Sequence, residues 1–231
     1  MAETDDRVLA IMMKAPRPGY VKTRLGPAYS AERILTLYRA LVEDTIDLAK
    51  AMRVHTVAVC PAADAGELEG WLPRDVPVVS QRGVGLAAGL HSTFDQLCTP
   101  DRRRVIAFNA DSPHLPAGAL EAAFTALEHN DLVVGPCDDG GYYLVGAKQP
   151  HAGLFDGGVM GRGTACATLL GEAARRGLRV GLNVEHYDID VPSDLARLAQ
   201  ELSAEPSRAC RTAAILASWA RESAVGVKAD E

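Results

Sequence analysis

Short apolar runs alternate with stretches of helical period along nearly the whole chain, and no other feature restricts the fold as much. Residues 7–13 (RVLAIMM), 54–60, 76–80, 132–136, 142–147 and 178–185 read as strands, as does the run beginning at Val105. Leu35, Tyr38, Val42, Ile46 and Ala49 recur at helical spacing in a long helix capped by Ser30. Further helices are expected at 64–72, 86–98, 117–129, 164–176 and 207–221, with another opened by Pro192. Strand–helix alternation of this kind predicts an α/β fold, a single domain with a mainly parallel sheet flanked by helices. The domain is expected over residues 1–221, with 222–231 as a flexible tail. Residues 132–147 break the pattern. Their link, Cys-Asp-Asp-Gly-Gly, is too short for a crossover, so it makes a tight return or places one strand elsewhere in the sheet.

The run Val105-Ile-Ala-Phe, flanked by Arg102–Arg104, reads as a strand buried on both faces. It leads directly into Asp111, after which Ser112, Pro113 and Pro116 cannot continue a ladder. Ligands of open α/β sheets bind beyond the carboxyl ends of the strands, so a carboxylate here can hold a cation that in turn holds a phosphate. The plainer alternative is an Asx-turn or a helix cap.

Charge sharpens the picture at the other end of the chain. The protein is acidic, with net charge −6, yet residues 7–31 hold five Lys or Arg and no Asp or Glu. The loop from Lys14 to Leu25 carries Lys14, Lys22 and Arg24 between prolines, a set suited to a di- or triphosphate. It is not a Walker A loop, because Val21 stands before Lys22-Thr23 where that motif has Gly. The acidic balance disfavours nucleic acid, and no apolar run reaches the ~20 residues of a membrane span. Five scattered cysteines lack C-x-x-C spacing, and the first residues are acidic where a secretory signal is basic. A cytoplasmic location with reduced thiols is therefore expected.

Three further stretches carry polar groups. Gly83-Val-Gly85-Leu-Ala-Ala-Gly89 follows a strand but is one residue too long for a dinucleotide fingerprint. Asp138-Asp139-Gly140-Gly141 suits a hairpin turn, and Asp188-Ile-Asp190-Val-Pro192 suits a helix start. On the functional reading, an acid from one of these two joins Asp111 on a divalent metal.

The motifs K-x-P-x-x-G-x-V-K-T-R-L, A-D-S-P-x-L-P, G-P-x-x-D-G-G-Y-Y-L-x-G and D-I-D-x-P-x-D-L occur in that order. Together they resemble the bacterial GT-A-like transferases of the selenodomain-associated and arsenosugar-biosynthesis glycosyltransferase type, over about residues 8–200. The resemblance implies a nucleotide-diphospho-sugar transferase fold and a magnesium or manganese ion bridging an aspartate and the donor's phosphates. It implies that Lys14, Lys22, Arg24, Gln81 and Gly83 contact the nucleotide, that Asp111 and Asp190 ligate the metal, and that Asp139 faces the acceptor, where it is the candidate base if the reaction inverts. The partners it implies are a nucleotide sugar and a small-molecule acceptor. The K-x(7)-K-[ST]-R-L core is also similar to that of phospholactate guanylyltransferases, which implies nucleotidyl transfer with release of pyrophosphate as the second chemistry. A non-catalytic nucleotide-binding protein is the third reading. It follows from two departures: the loop after Gln81 has lost the family's acids and Arg, and Met160 stands where the family has Trp.

Overall fold

The computed structural model describes residues 5–116, 118–156 and 163–229, with side chains to residue 222. Met160 lies outside the described residues. The chain gathers into two compact units built from interleaved segments. The first comprises residues up to 15, 49–109 and 116–187; the second comprises 16–48, 110–115 and 188 onward.

The first unit holds a seven-stranded sheet: β1 (Arg7–Met12), β2 (His55–Pro61), β3 (Val78–Gln81), β4 (Arg104–Asn109), β5 (Leu132–Pro136), β6 (Tyr142–Ala147) and β7 (Val180–Leu182). The strand order is β3-β2-β1-β4-β6-β5-β7. Every neighbouring pair is parallel except the two made by β6, which runs antiparallel to β4 and β5. Residues 132–147 thus make the tight return, with a bulge at Gly135/Pro136. Val8–Ile11 and Val105–Phe108 are buried on both faces, the physical reason these strands are continuous apolar runs.

Alternate strand residues meet different helices. Val8, Ala10, Val57, Val59, Val105 and Ala107 share a core with Leu90, Phe94 and Leu97 of α3 (Gly85–Leu97) and with Leu169 and Ala173 of α5 (Ala165–Arg175). The opposite face receives α4 (Ala119–His129). A Cβ on Gly146 would stand 2.7 Å from Val133, 3.0 Å from Ile106 and 3.1 Å from Leu127 of α4, so only glycine lets sheet and helix close here. A short α2 (Ala65–Trp71) completes this unit's helices among the described residues.

The second unit contains the loop 16–30, most of α1 (Ala31–Ala51), the segment 110–115, α6 (Pro192–Ala204) and α7 (Cys210–Ala229). Buried Asp44 of α1 accepts the N–H groups of Arg211 (3.2 Å) and Thr212 (2.8 Å), capping the start of α7. Two elements differ most from expectation. The last strand, read as 178–185, is only Val180–Leu182, because it is an edge strand with one neighbour, β5. The last helix begins after a 3-10 turn at Pro206–Arg208 and its backbone runs to Ala229, into the stretch expected as a tail. No helix among the described residues is long and apolar enough to cross a membrane.

Candidate active site

Lys22 is the centre of the polar cluster in the second unit. Its neighbours Val21 and Leu25 are buried and pin the loop on either side. Lys22 itself adopts a left-handed backbone (φ 48°, ψ 40°) just before a 3-10 turn at Thr23–Leu25. For a residue with a Cβ that conformation costs about 1–2 kcal/mol, and strain of this kind gathers at functional sites. What it achieves here is visible in the side chain, which is only 3% exposed. The Lys22 ammonium lies 2.7 Å from Asp111 Oδ2 and 3.3 Å from Asp190 Oδ1.

Each carboxylate is positioned by its own local structure. Asp111 follows Ala110 directly after β4, and the adjacent Ser112 is fully buried, its hydroxyl 3.4 Å from Asp188 Oδ1. Asp190 precedes α6. Asp194, in the first turn of that helix, accepts the backbone N–H of Asp190 (2.9 Å) and of Val191 (2.8 Å), fixing the chain where the Asp190 side chain departs. The Arg24 guanidinium meets the other Asp190 oxygen at 3.1 Å. Because one ammonium touches both acids, the Asp111 and Asp190 oxygens can be no farther apart than its two contact distances together. That is well inside the ~10 Å limit for two groups sharing one ion directly or through water.

Burial alone would push the Lys22 ammonium down. Attraction from Asp111, then from Asp190 and Asp188, overcomes that and holds it above its ordinary value. Lys22 is therefore a charged lysine in a nearly dry place, sustained by acids on two chain segments. Sequence motifs pointed to Lys22, Arg24, Asp111 and Asp190 one by one, with Asp188 as the alternative acid of the same D-I-D motif; the contacts of Ser112 and Asp194 emerge only from the fold.

The donor set tests whether a metal suits this place. Asp111 and Asp190 offer hard carboxylate oxygens, and Asp188 adds negative charge. Magnesium and manganese take such ligands, one or two carboxylates with phosphates and water completing the shell. Among the described residues no group of three or more His, Cys, Asp or Glu forms a metal cage. An ion bound here would need ligands from a phosphate or water.

Lys14, Gln81, Gly83 and Asp139 belong to the sheet unit. Lys14 is exposed at the start of the loop, which is anchored there by the Ala15 N–H bonding to buried Asp64 (2.9 Å). Gln81, at the end of β3, donates weakly to the carbonyls of Gly83 (3.3 Å) and Gly85 (3.4 Å). Gly83 (φ 82°) needs its left-handed backbone for this turn, and the loop leaves Val84 almost wholly in solvent. Asp139 accepts the Gly141 N–H at 2.8 Å in an Asx-turn. Gly140 beside it has φ 83°, and a Cβ there would fall 2.1 Å from the Gly163 carbonyl.

Comparison with solved structures identifies the fold. A "putative nucleotide-diphospho-sugar transferase" from Desulfovibrio desulfuricans G20 is 26% identical, with TM-score 0.86 over 92% of this chain and 94% of that chain. The 4-diphosphocytidyl-2C-methyl-D-erythritol synthase of Anaerococcus prevotii DSM 20548 is 14% identical, with TM-score 0.57 over 88% of this chain and 99% of its own. The manganese complex of Rv0371C from Mycobacterium tuberculosis H37Rv is also 14% identical, with TM-score 0.51 over 84% and 97%. No curated protein matches in sequence. The α/β architecture, with its one reversed strand pairing on both sides, is thus the nucleotide-diphospho-sugar transferase fold. A family profile spans residues 45–162, from the end of α1 through β6 and just over half of the chain. The chain belongs to the bacterial family described as "Uncharacterized protein conserved in bacteria (DUF2064)".

Proposed function

We propose that this protein is a metal-dependent glycosyltransferase, moving a sugar from a nucleotide diphosphate sugar to a small-molecule acceptor. One observation carries the reading: a buried lysine and an arginine converge with two aspartates, one of them next but one after β4 in the chain. Glycosyl transfer breaks the bond at the anomeric carbon, and the nucleoside diphosphate leaves with its electron pair. Charge grows on the leaving phosphate, where fixed cations lower the barrier. Lys22 and Arg24 are the chain's own cations for that task. Asp111 and Asp190 would hold magnesium or manganese, which when bound supplies further charge stabilisation. The manganese complex of a structural neighbour supports this ion as a choice. Asp139 is the proposed base for the acceptor's proton, and Lys14, Gln81 and Gly83 are the proposed further nucleotide contacts. The subfamily suggested by the motifs, the selenodomain-associated and arsenosugar type, is part of the same proposal.

Nucleotidyl transfer is the second reading, favoured by the fold shared with an inositol-1-phosphate CTP transferase. The same cations would then serve departing pyrophosphate. A panel of nucleotide sugars and triphosphates, with magnesium or manganese and small acceptors, separates the two. Diphosphate released from a sugar donor, lost with chelator and in Asp111→Asn, is the expected outcome. Pyrophosphate from a triphosphate alone would reverse the assignment. Release of neither, with nucleotide still bound, would make the protein a non-catalytic binder.

A further inference from the structure

We propose that Lys22 and a divalent cation are alternative partners of Asp111 and Asp190, so that metal uptake releases the Lys22 ammonium to the donor's diphosphate and diphosphate binding follows metal binding. The inference rests on the reading of these two aspartates as metal ligands. It begins from what their oxygens already hold. Asp111 Oδ2 and Asp190 Oδ1 face the Lys22 ammonium at 2.7 and 3.3 Å, and Asp190 Oδ2 faces Arg24 at 3.1 Å. Both Asp190 oxygens are thus neutralised by cations of the chain itself. A divalent ion bonded to the same oxygens would stand against the buried Lys22 ammonium with like charge.

Lys22 is built to yield. Its stem is a flexible four-carbon chain, so the ammonium can move while the backbone stays. The backbone has reason to stay, since Val21 and Leu25 are buried on both sides of the strained left-handed residue. Once displaced, the ammonium is a cation without its acids, and a diphosphate bound at the same site would supply the anion it lacks. Before metal arrives, that anion meets a lysine whose charge is already spent on two acids. The exchange gives the site an order of addition that the separate motifs do not contain.

The test measures the exchange rather than turnover. Manganese binding is followed by electron paramagnetic resonance in wild type, Lys22→Met and Asp111→Asn. Removing the competing ammonium should tighten manganese roughly tenfold or more, because the carboxylates no longer divide their time between two cations. Lys22→Gln serves if the methionine variant does not fold. In parallel, acetic anhydride labelling of wild type is read by mass spectrometry, with half-exposed Lys50 as reference. Lys22 should be protected in the free protein, labelled with saturating manganese, and protected again when inorganic pyrophosphate is added. Lys22 that stays protected at saturating manganese, or a Lys22→Met affinity no tighter than wild type, overturns the exchange. If Asp111→Asn loses manganese in that case, the metal reading survives alone. If no variant and no wild-type protein binds manganese, both fall together.

Discussion

A lysine with a positive φ angle and a nearly fully buried ammonium costs stability twice, once in the backbone and once in desolvation. Asp111 and Asp190 offset the second cost, which gives Lys22 a defined dependence on pH. Its folded value lies above the ordinary lysine value of 10.5. A group raised on folding contributes stability that is complete below its unfolded value and is lost as pH rises through its folded value. The melting-temperature difference between wild type and Lys22→Met should therefore stay flat from about pH 7 to about pH 10 and shrink above that. Melting curves on both proteins across that range check it; a difference already shrinking near pH 8 would show that the ammonium is not held by the acids. Each of these residues was named from the sequence, Lys22 by an acid-free basic loop, Asp111 by its place after a strand and Asp190 by the motif resemblance. Their mutual pairing was not. Motifs assign a lysine to a phosphate and an aspartate to a metal, whereas in the free chain the buried ammonium is neutralised by both aspartates first.

Among the elements, what could be read in advance follows burial. β1 and β4 were legible since both faces are covered; the five-residue link of β5 and β6 excluded a crossover but left open whether they pair, which the fold decides. β7 was overextended because an edge strand ends when its single partner's register ends, and nothing in its own residues records that. The division into two units also lies beyond local pattern, being made by segments distant in sequence. Asp44 shows the same limit. It reads as one of several acids on the polar face of α1, yet it is buried and accepts two N–H groups at the start of α7 as well as Arg211 Nη1 at 3.2 Å. Asp47 bonds the same guanidinium at 2.5 Å but is 60% exposed. Asp44→Ala should cost about 2–3 kcal/mol, the sum of a lost cap and a broken charged hydrogen bond. Asp47→Ala should cost under about 1 kcal/mol, as exposed pairs do. Urea unfolding of the two variants distinguishes them, and equal losses would refute the capping role.

At the scale of the whole molecule, the thiols report on how completely the fold closes. Five free cysteines are distributed over both units, and only Cys210 is exposed. Burial raises the Cys60 thiol to about 11, with Asp64 and Glu69 adding to it, and raises Cys98 to about 12, with Asp95 adding. Burial pushes Cys166 up as well. The thiolate is the reactive form, so at mildly alkaline pH these side chains are both screened from reagent and protonated. Cys210 is exposed to reagent. Brief iodoacetamide treatment of the native protein should therefore add one label, on Cys210, and treatment in denaturant should add all five. Intact-mass spectrometry counts them, and peptide mapping locates them. The intermediate case is the informative one. Cys98 terminates α3 and is only partly buried, so its labelling rate measures how often the end of that helix opens. If Cys98 reacts as fast as Cys210, the end of α3 is not held closed against the sheet. If Cys98 remains unlabelled while Cys210 is consumed, the end of α3 is closed on the timescale of the reaction, and the loop that Gln81 organises between β3 and α3 rests on a fixed foundation.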